Sequence, residues 1–323
     1  MADLKGKTVL VTGAAGFIGS HLCDRLLQEP LGKLIGVDNL FLGKEENLIS
    51  AMTDPRFTFE KADVTRETEM KVLFRQFPVD VVFHLAVIPL PVSLENPGWC
   101  FRQNVQMSEV LCELIRSGGK NITLVHYSSS EVYGSALYTP MDEHHPLDSH
   151  TPYAASKAAA DLLTVSYRHT FGTDMTIVRP FNNYGPRQNE GSYAGVIPIT
   201  IKRIMGGQPP VITGDGSQTR DFINVLDTTD ATVELYKNER SRGEIFNVAS
   251  GIQTSVQTVI DTICREMKYS GKVLFHPPRA GDVTAHEGSI QKIRELTGFS
   301  VKVNFSNGIK DTVKWYQESL SKS

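Results

Sequence analysis

The chain has 323 residues, of which 40% are hydrophobic and 21% charged, and its formal net charge is −3. These values are typical of a globular protein with a full core, and they leave no basic excess to neutralise nucleic-acid phosphates. His84, Pro89 and Pro91 interrupt the longest apolar run before it reaches the ~18 residues of a membrane helix. We therefore expect neither a nucleic acid nor a membrane as partner.

Four cysteines, Cys23, Cys100, Cys112 and Cys264, are scattered without any C-x-x-C spacing. This distribution predicts reduced thiols in a reducing compartment. The first strand is predicted from Lys7 onward, which leaves no room for a signal peptide before it. We expect a cytoplasmic protein.

A strand predicted over residues 7–12 runs directly into Gly13, Gly16 and Gly19 and then into an amphipathic helix. In this G-x-x-G-x-x-G spacing, Gly13 permits a tight turn and Gly16 lets the backbone approach a pyrophosphate. Gly19 lets the helix pack closely on the strand. Because helix N-terminal amides hold phosphates, the stretch predicts a dinucleotide site.

The second predicted strand, residues 34–38, ends in Asp38, nineteen residues beyond Gly19. An acid at this position bonds a ribose 2′-hydroxyl and repels a 2′-phosphate, so the pattern favours NAD over NADP. The alternative is a glycine turn followed by an unrelated surface aspartate.

Two further strands are predicted over residues 57–64 and 79–86. Asp63, near the end of the first, either meets the adenine amino group or caps the following helix. His84 lies in the second, a nearly continuous apolar run, and is predicted to be a core histidine. Residues 87–97 contain three prolines and are predicted to form an irregular loop beside the substrate. Helical patterns alternate with the strands, which predicts a parallel, doubly wound sheet.

The stretch with the most chemistry is residues 128–134, Ser-Ser-Ser-Glu-Val-Tyr-Gly, at the end of a strand predicted over 124–127. Open α/β sheets bind ligands at this end of their strands. Tyr153 and Lys157 follow and share a helix face, because residues four apart are neighbours on a helix. A phenol with a pKa of about 10 is a poor base, so we expect Lys157, together with the positive nicotinamide ring, to lower the pKa of Tyr153. The alternative is a polar loop before an unrelated amphipathic helix.

Beyond a strand predicted over residues 176–179 the regular alternation weakens. We predict an NAD-binding domain over residues 1–180, with a returning segment near 222–250, and a substrate lobe formed by 181–221 and 251–323. Arg220 and Arg279 lie in turn-rich segments of this lobe, where they either clamp a diphosphate or form surface salt bridges. His144 and His145 have no spaced set of further ligands, so we expect a solvated loop and no metal.

In this combination the chain resembles the extended short-chain dehydrogenase/reductase superfamily, specifically its nucleotide-sugar epimerases and dehydratases. The motifs that carry the resemblance are Gly13, Gly16 and Gly19, Asp38, Asp63 and Val64, Tyr153 and Lys157, and residues 84–86, 128–134, 181–187, 216–222 and 279–282. The resemblance implies an α/β fold: a Rossmann-like doubly wound parallel sheet with a smaller C-terminal α/β substrate lobe.

The resemblance also implies the site residues. The catalytic set is Ser129, Ser130, Glu131, Tyr153 and Lys157. The NAD-binding set is Gly13, Gly16, Phe17, Ile18, Gly19, Asp38, Asn39, Asp63, Val64, Leu85, Ala86, Tyr153 and Lys157. The set expected to bind a UDP-, GDP- or dTDP-hexose is Asn182, Arg187, Val196, Arg220 and Arg279. Members of the family usually dimerise through helices corresponding to residues 106–117 and 153–169, so we expect a homodimer.

The reaction implied is oxidation at C4 of the hexose, with Tyr153 and Ser129 on its oxygen and the hydride passed to NAD. A C4 ketone acidifies the C5 proton, so a carboxylate at Glu131 can start elimination across C5 and C6. dTDP-glucose 4,6-dehydratases carry an Asp-Glu pair where this chain has Ser130 and Glu131. GDP-mannose 4,6-dehydratases show a similar Ser-Glu pattern. We therefore expect 4,6-dehydration.

Three alternatives stay open. Residues 37–40 and 91–97 resemble 4-epimerases, although these usually carry small or hydroxylic residues at the Glu131 position. UDP-glucuronate decarboxylases share the Ser-Glu pair, but residues 283–287 lack the basic side chains expected near a substrate carboxylate. A non-catalytic NAD-binding scaffold is the remote alternative, since a fold does not determine a function.

Overall fold

The computed structural model describes residues 3–119, 121–191, 194–277 and 285–320. The strands are β1 Thr8–Thr12, β2 Lys33–Asp38, β3 Phe57–Lys61, β4 Val81–His84, β5 Thr123–Tyr127, β6 Met175–Pro180, β7 Asn182–Tyr184, β8 Val211–Thr213, β9 Thr219–Asn224, β10 Ile245–Val248, β11 Gln253–Ser255 and β12 Leu274–His276. The helices are α1 Phe17–Leu26, α2 Ile49–Met52, α3 Glu67–Gln76, α4 Leu90–Glu95, α5 Pro97–Ser117, α6 Pro152–Phe171, α7 Val196–Met205, α8 Val225–Lys237, α9 Val256–Glu266, α10 Gln291–Thr297 and α11 Phe305–Leu320. Short 3-10 helices cover Glu45–Leu48, Ser130–Tyr133 and Glu239–Ser241.

The main sheet has the strand order β10-β6-β5-β4-β1-β2-β3, and its neighbouring strands all run parallel. The chain moves from β1 outward to β3 and then returns to the other side of β1 with β4. This reversal creates a crevice at the carboxyl ends of β1 and β4, which is where such sheets bind ligands. The predicted Rossmann-like, doubly wound parallel sheet is confirmed.

Both faces of the main sheet are covered, because its strands are apolar on both sides. Val9 and Val11 of β1 are fully buried in one apolar cluster, whereas Leu10 between them is fully buried in the other. Successive side chains of a strand point to opposite faces, so a strand buried on both faces reads as a continuous apolar run. The sheet is therefore held between two layers of helices.

The C-terminal part of the chain builds smaller sheets beside this crevice. Strands β11, β9 and β7 form one sheet, and β12 pairs with β8. Helices α7, α9 and α11 cover a third apolar cluster there. Strand β10 returns to the main sheet beside β6. The division into two domains remains a prediction. Within the described ranges, no helix combines the length and apolarity that crossing a bilayer requires.

Two local predictions are wrong. Residues 87–97 are not an irregular loop, since α4 occupies Leu90–Glu95 and α5 starts at Pro97. Pro91 and Pro97 lie in first turns, where a helix does not need the missing N–H. His145 is not solvated either: it is buried, accepts from the Leu137 N–H at 3.0 Å and donates to the Pro146 carbonyl at 2.9 Å.

Candidate active site

In the glycine loop between β1 and α1, main-chain atoms of neighbouring segments lie in close contact. Gly13 has φ +69°, and a Cβ there would lie 2.8 Å from the Ala86 nitrogen. A Cβ on Gly19 would lie 2.0 Å from the Gly13 carbonyl oxygen. These contacts exclude any side chain at either position, so the start of α1 is held directly over the end of β1. The loop thereby leaves space for a pyrophosphate at the helix N-terminus.

Asp38 at the end of β2 is buried and fixed at the edge of the same space. Its Oδ2 accepts from the Ala15 N–H at 3.0 Å, and its Oδ1 accepts from the Leu40 N–H at 2.8 Å. Burial raises the pKa of the Asp38 carboxyl, and these hydrogen bonds oppose the rise. Its carboxylate is positioned to take a further hydroxyl donor, as a cofactor ribose offers.

Asp63 lies just beyond β3 and does not cap α3, whereas its contact with adenine stays a prediction. Its Oδ1 accepts from the Thr65 N–H at 2.9 Å and the Thr65 hydroxyl at 2.7 Å. Burial acts to raise the pKa of Asp63, but these bonds outweigh it and the pKa is lowered. The N-cap of α3 is Arg66 rather than Asp63. Asp63 also lines the cavity described next.

A cavity of about 1130 Å³ runs along the carboxyl edge of the main sheet. This is slightly larger than the roughly 300–1,000 Å³ of a site for one drug-sized ligand. All thirteen residues of the predicted NAD-binding set line it. The closely packed glycine loop and the fixed carboxylate of Asp38 suit a dinucleotide at one end of the cavity. Fold and cavity together define a dinucleotide-binding Rossmann enzyme.

Three of the five catalytic candidates line the same cavity. Ser129 follows β5 and caps the Ser130–Tyr133 helix, where its Oγ accepts from the Glu131 N–H at 3.2 Å. Tyr153 lies in the first turn of α6, which Thr151 caps, and Lys157 lies one turn later. Ser129, Tyr153 and Lys157 all line the cavity, whereas Ser130 and Glu131 are not among its lining residues.

Burial shifts the pKa values of both Tyr153 and Lys157. Burial raises the pKa of Tyr153 well above its usual value; the hydrogen bond with Ser129 opposes this rise, and the nearby Glu131 carboxylate adds to it. In the protein without NAD, desolvation of the phenolate dominates. The lowering expected from Lys157 together with the nicotinamide charge stays a prediction. The Lys157 ammonium donates to the main-chain carbonyl of Tyr127, and burial lowers the pKa of Lys157 to about 8.

The expected substrate residues are not all in one place. Asn182 opens β7, and its buried Nδ2 donor has no hydrogen-bond partner in the described part of the chain. Arg187 lines the cavity and forms an ion pair with Asp24 of α1 at 2.7 Å, so it lies on the cofactor side. Arg220 on β9 and Val196 at the start of α7 are not among the lining residues. Arg279 lies outside the described residues.

Several lining residues were missed. Asn183 and Gln188 belong to the same run as Asn182 and Arg187, and the buried Asn183 Oδ1 and Gln188 Oε1 also lack hydrogen-bond partners among the described residues. Their position in that run was a usable signal. Trp315 of α11 also lines the cavity, but nothing near it in the sequence indicates this.

Comparison with known proteins identifies the family. The chain matches the NAD dependent epimerase/dehydratase family over residues 9–249. A UDP-glucose 4-epimerase of Mycolicibacterium smegmatis is 36% identical over 95% of this chain and 98% of its own length. A dTDP-glucose 4,6-dehydratase of Actinoplanes sp. is 32% identical over 97% of this chain and 98% of its own. The solved structure of DesIV, a dTDP-glucose 4,6-dehydratase from Streptomyces venezuelae with NAD and TYD bound, has a TM-score of 0.91 and 29% identity, with 98% of each chain covered.

The chain therefore belongs to the NAD dependent epimerase/dehydratase family. It is an NAD-dependent enzyme of this family, as the resemblance of its motifs predicted.

Asp38→Asn tests the assignment of the cofactor end. Loss of a charged hydrogen-bond acceptor costs roughly 1.5–3 kcal/mol, so we expect NAD to bind about 10- to 100-fold more weakly. The ratio of the NADP dissociation constant to that of NAD should fall, because the repulsion between the Asp38 carboxylate and the 2′-phosphate of NADP is removed. Titration calorimetry with both nucleotides measures this. Asp261→Asn, on the exposed face of α9, is the control. Unchanged NAD affinity in Asp38→Asn would contradict the assignment.

Proposed function

We propose that the chain is an NAD-dependent nucleotide-diphospho-hexose 4,6-dehydratase. The observation that carries the proposal is the position of Glu131. Its main-chain N–H is held by the Ser129 hydroxyl, and its carboxylate is close enough to Tyr153 to raise the pKa of that phenol. A carboxylate beside the pair that handles O4 is what elimination requires, and C4 inversion alone has no use for it.

The first half of the reaction is oxidation at C4. When bound, NAD supplies the acceptor for the C4 hydride, a positive ring charge that favours a phenolate, and the hydride returned to C6. Tyr153 removes the proton from the C4 hydroxyl, while Ser129 donates a hydrogen bond to the same oxygen. Lys157 binds the cofactor ribose with its ammonium, which its bond to the Tyr127 carbonyl orients.

The second half is elimination across C5 and C6. The C4 ketone acidifies C5, and Glu131 takes the C5 proton. The C6–O bond breaks, and the protonated Glu131 gives its proton to the departing hydroxyl, which leaves as water. Ser130, which is buried beside Glu131, stands where dTDP-glucose 4,6-dehydratases carry an aspartate, so Glu131 serves as both base and acid. Glu131 then takes up a proton from solvent, and return of a hydride to C6 with transfer of this new proton from Glu131 to C5 yields a 4-keto-6-deoxy sugar.

Glu131→Gln separates the two halves. The variant keeps its shape and hydrogen-bonding capacity but cannot accept the C5 proton. We expect C4 oxidation to persist, and the absorbance of the reduced nicotinamide (NADH) should appear. Deuterium incorporation at C5 in heavy water should fall at least 100-fold, because the general base is lost. NMR of the products measures the label. Unchanged formation of the 4-keto-6-deoxy product would contradict the proposal.

The second candidate is a nucleotide-sugar 4-epimerase. The observation that favours it is the 36% identity to a UDP-glucose 4-epimerase. Ser129, Tyr153 and Lys157 suffice for that reaction, which oxidises C4 and returns hydride to its other face. An epimerase would tolerate Glu131→Gln and give an inverted C4 alcohol without solvent label. A third outcome, carbon dioxide release from a UDP-uronic acid, would indicate a decarboxylase.

The diphosphate is expected at Asn182, Arg220 and Arg279. The unpaired Nδ2 donor of Asn182 supports this, because a buried donor without a partner is costly unless a ligand oxygen accepts from it. Arg187, paired with Asp24 beside α1, is better placed to approach the cofactor than the sugar. In this proposal, the substrate is a UDP-, GDP- or dTDP-hexose.

We also infer a cytoplasmic homodimer. The four cysteines are free, and three of them are buried, as in a reducing compartment. Helices α5 and α6 pack together extensively, and Leu162 of α6 is nevertheless 62% exposed. Exposed apolar side chains on these helices, Phe101, Leu162 and Phe171, suit burial against a second copy.

Leu162→Lys tests the interface. We expect the wild-type chain to elute as a dimer in size exclusion with light scattering, and Leu162→Lys to elute as a monomer, because the lysine ammonium would be buried unpaired. Ile252→Lys changes an equally exposed residue, also at 62%, far along the chain, and should remain dimeric. A monomeric wild type, or a dimer that persists in Leu162→Lys, would contradict this interface.

A further inference from the structure

A buried carboxylate lies directly behind the catalytic residues. Asp161 is on α6, one turn beyond Lys157, and is only 1% exposed. Its Oδ2 accepts from the Ser128 hydroxyl at 2.8 Å and from Nε and Nη2 of Arg179 at 3.0 Å each. Burying a charge this completely is costly unless it is paired, and Arg179 supplies the opposite charge here.

The contacts of Asp161 reach both ends of the catalytic segment. Ser128 directly precedes Ser129, and its hydroxyl is tied to Asp161. At the far end, the Tyr133 hydroxyl accepts from Arg179 Nη1 at 2.9 Å and donates to Asn247 Oδ1 at 2.8 Å. Asp161 thus fixes one end itself and the other through Arg179. Ser129 and Glu131 lie between these two anchors.

Asp161 also provides the negative charge next to Lys157. Burial lowers the pKa of Lys157, and Asp161 acts in the opposite direction. Arg179 neutralises part of this charge, and His126 Nε2 lies 3.4 Å from Asp161 Oδ1. Six other titratable or charged groups surround Lys157 and Asp161. They are Tyr153 of α6, His84 of β4, His126 of β5, Arg179 of β6, and Glu131 and Tyr133 of the Ser130–Tyr133 helix.

Neither histidine supplies a competing positive charge. Burial lowers the pKa of His84 and of His126, so both are neutral near pH 7. His84 bonds Thr12 Oγ1 at 2.8 Å and Ser108 Oγ at 3.2 Å, which confirms it as a core histidine. The charge on α6 that faces Lys157 is therefore that of Asp161, which Arg179 offsets only in part.

We propose that Asp161 is a positioning residue of the active site, which anchors the Ser129–Glu131 segment at both ends and places a carboxylate one helical turn from the Lys157 ammonium. The proposal rests on the proposed roles of Tyr153, Ser129 and Lys157. It applies to either reaction that begins with C4 oxidation. It concerns residues that act through others, since Asp161 itself does not line the cavity.

Asp161→Asn is the test, with two readouts. A nearby opposite charge moves a pKa by about 1–3 units, so loss of the Asp161 charge should lower the pKa of Lys157, which is about 8 in the wild type. Because the Lys157 ammonium is proposed to bind the cofactor ribose, the pH above which NAD affinity falls should move down by about one unit. Titration of NAD binding against pH measures this without any substrate. A displacement of the Ser129–Glu131 segment should lower kcat about 100-fold, with KM changed less.

Asp227→Asn is the matched control. Asp227 is also a buried aspartate, but it accepts from the Lys302 and Val303 main-chain N–H groups at 2.9 and 3.1 Å, away from the cavity. It should lose thermal stability while the pH midpoint stays unchanged. If Asp161→Asn behaves in the same way, Asp161 is only structural and the proposal is overturned.

Ser128→Ala covers the case in which Asp161→Asn does not fold. It removes one anchor and leaves the Asp161–Arg179 pair intact, and we expect kcat to fall about tenfold through misplacement of Ser129. An unchanged kcat would overturn the proposal. If no nucleotide sugar reacts at all, the proposed function fails, while the NAD titration still decides the role of Asp161.

Discussion

Charged and polar groups have to be buried at the carboxyl edge of the main sheet, and the structure of the site follows from how they are paired. The ion pair between Asp161 and Arg179 lies at the centre of this region. It joins α6, β6 and the end of β5, and through Tyr133 it reaches the helix that carries Glu131. Because an unpaired ion there would cost several kcal/mol, these elements are fixed relative to one another before any ligand binds.

The residues of the proposed site fall into two groups: one serves C4 oxidation in general, and the other selects the reaction that follows it. In the proposed mechanism, the glycine loop, Asp38, Tyr153, Lys157 and Ser129 serve any enzyme that oxidises C4 with NAD. Ser130 and Glu131, which are not among the residues that line the cavity, are proposed to select what happens to the ketone. Such a separation would account for relatives with closely similar folds, at TM-scores of about 0.9, that carry the names of both epimerases and dehydratases.

Much of this was predictable from local sequence patterns. The parallel, doubly wound sheet follows from apolar runs alternating with helical periods, and the glycine spacing with Asp38 predicted the dinucleotide end of the cavity. Features that depend on long-range contacts were not predictable. Trp315 reaches the cavity only because α11 packs beside β7 and β9. The raised pKa of Tyr153 depends on how deeply the phenol is buried, and the pairing of Arg187 with Asp24 depends on how the segment after β7 folds back onto α1.

The most direct test of the central claim is NMR analysis of the products formed in heavy water from a panel of UDP-, GDP-, CDP- and dTDP-hexoses. The account predicts that at least one hexose is converted to a 4-keto-6-deoxy sugar carrying deuterium at C5. If an inverted C4 alcohol without label were the only kind of product across the whole panel, dehydration would be contradicted. Absence of any change across the panel, in sugar or in nicotinamide absorbance, would contradict the C4 oxidation on which the whole account depends.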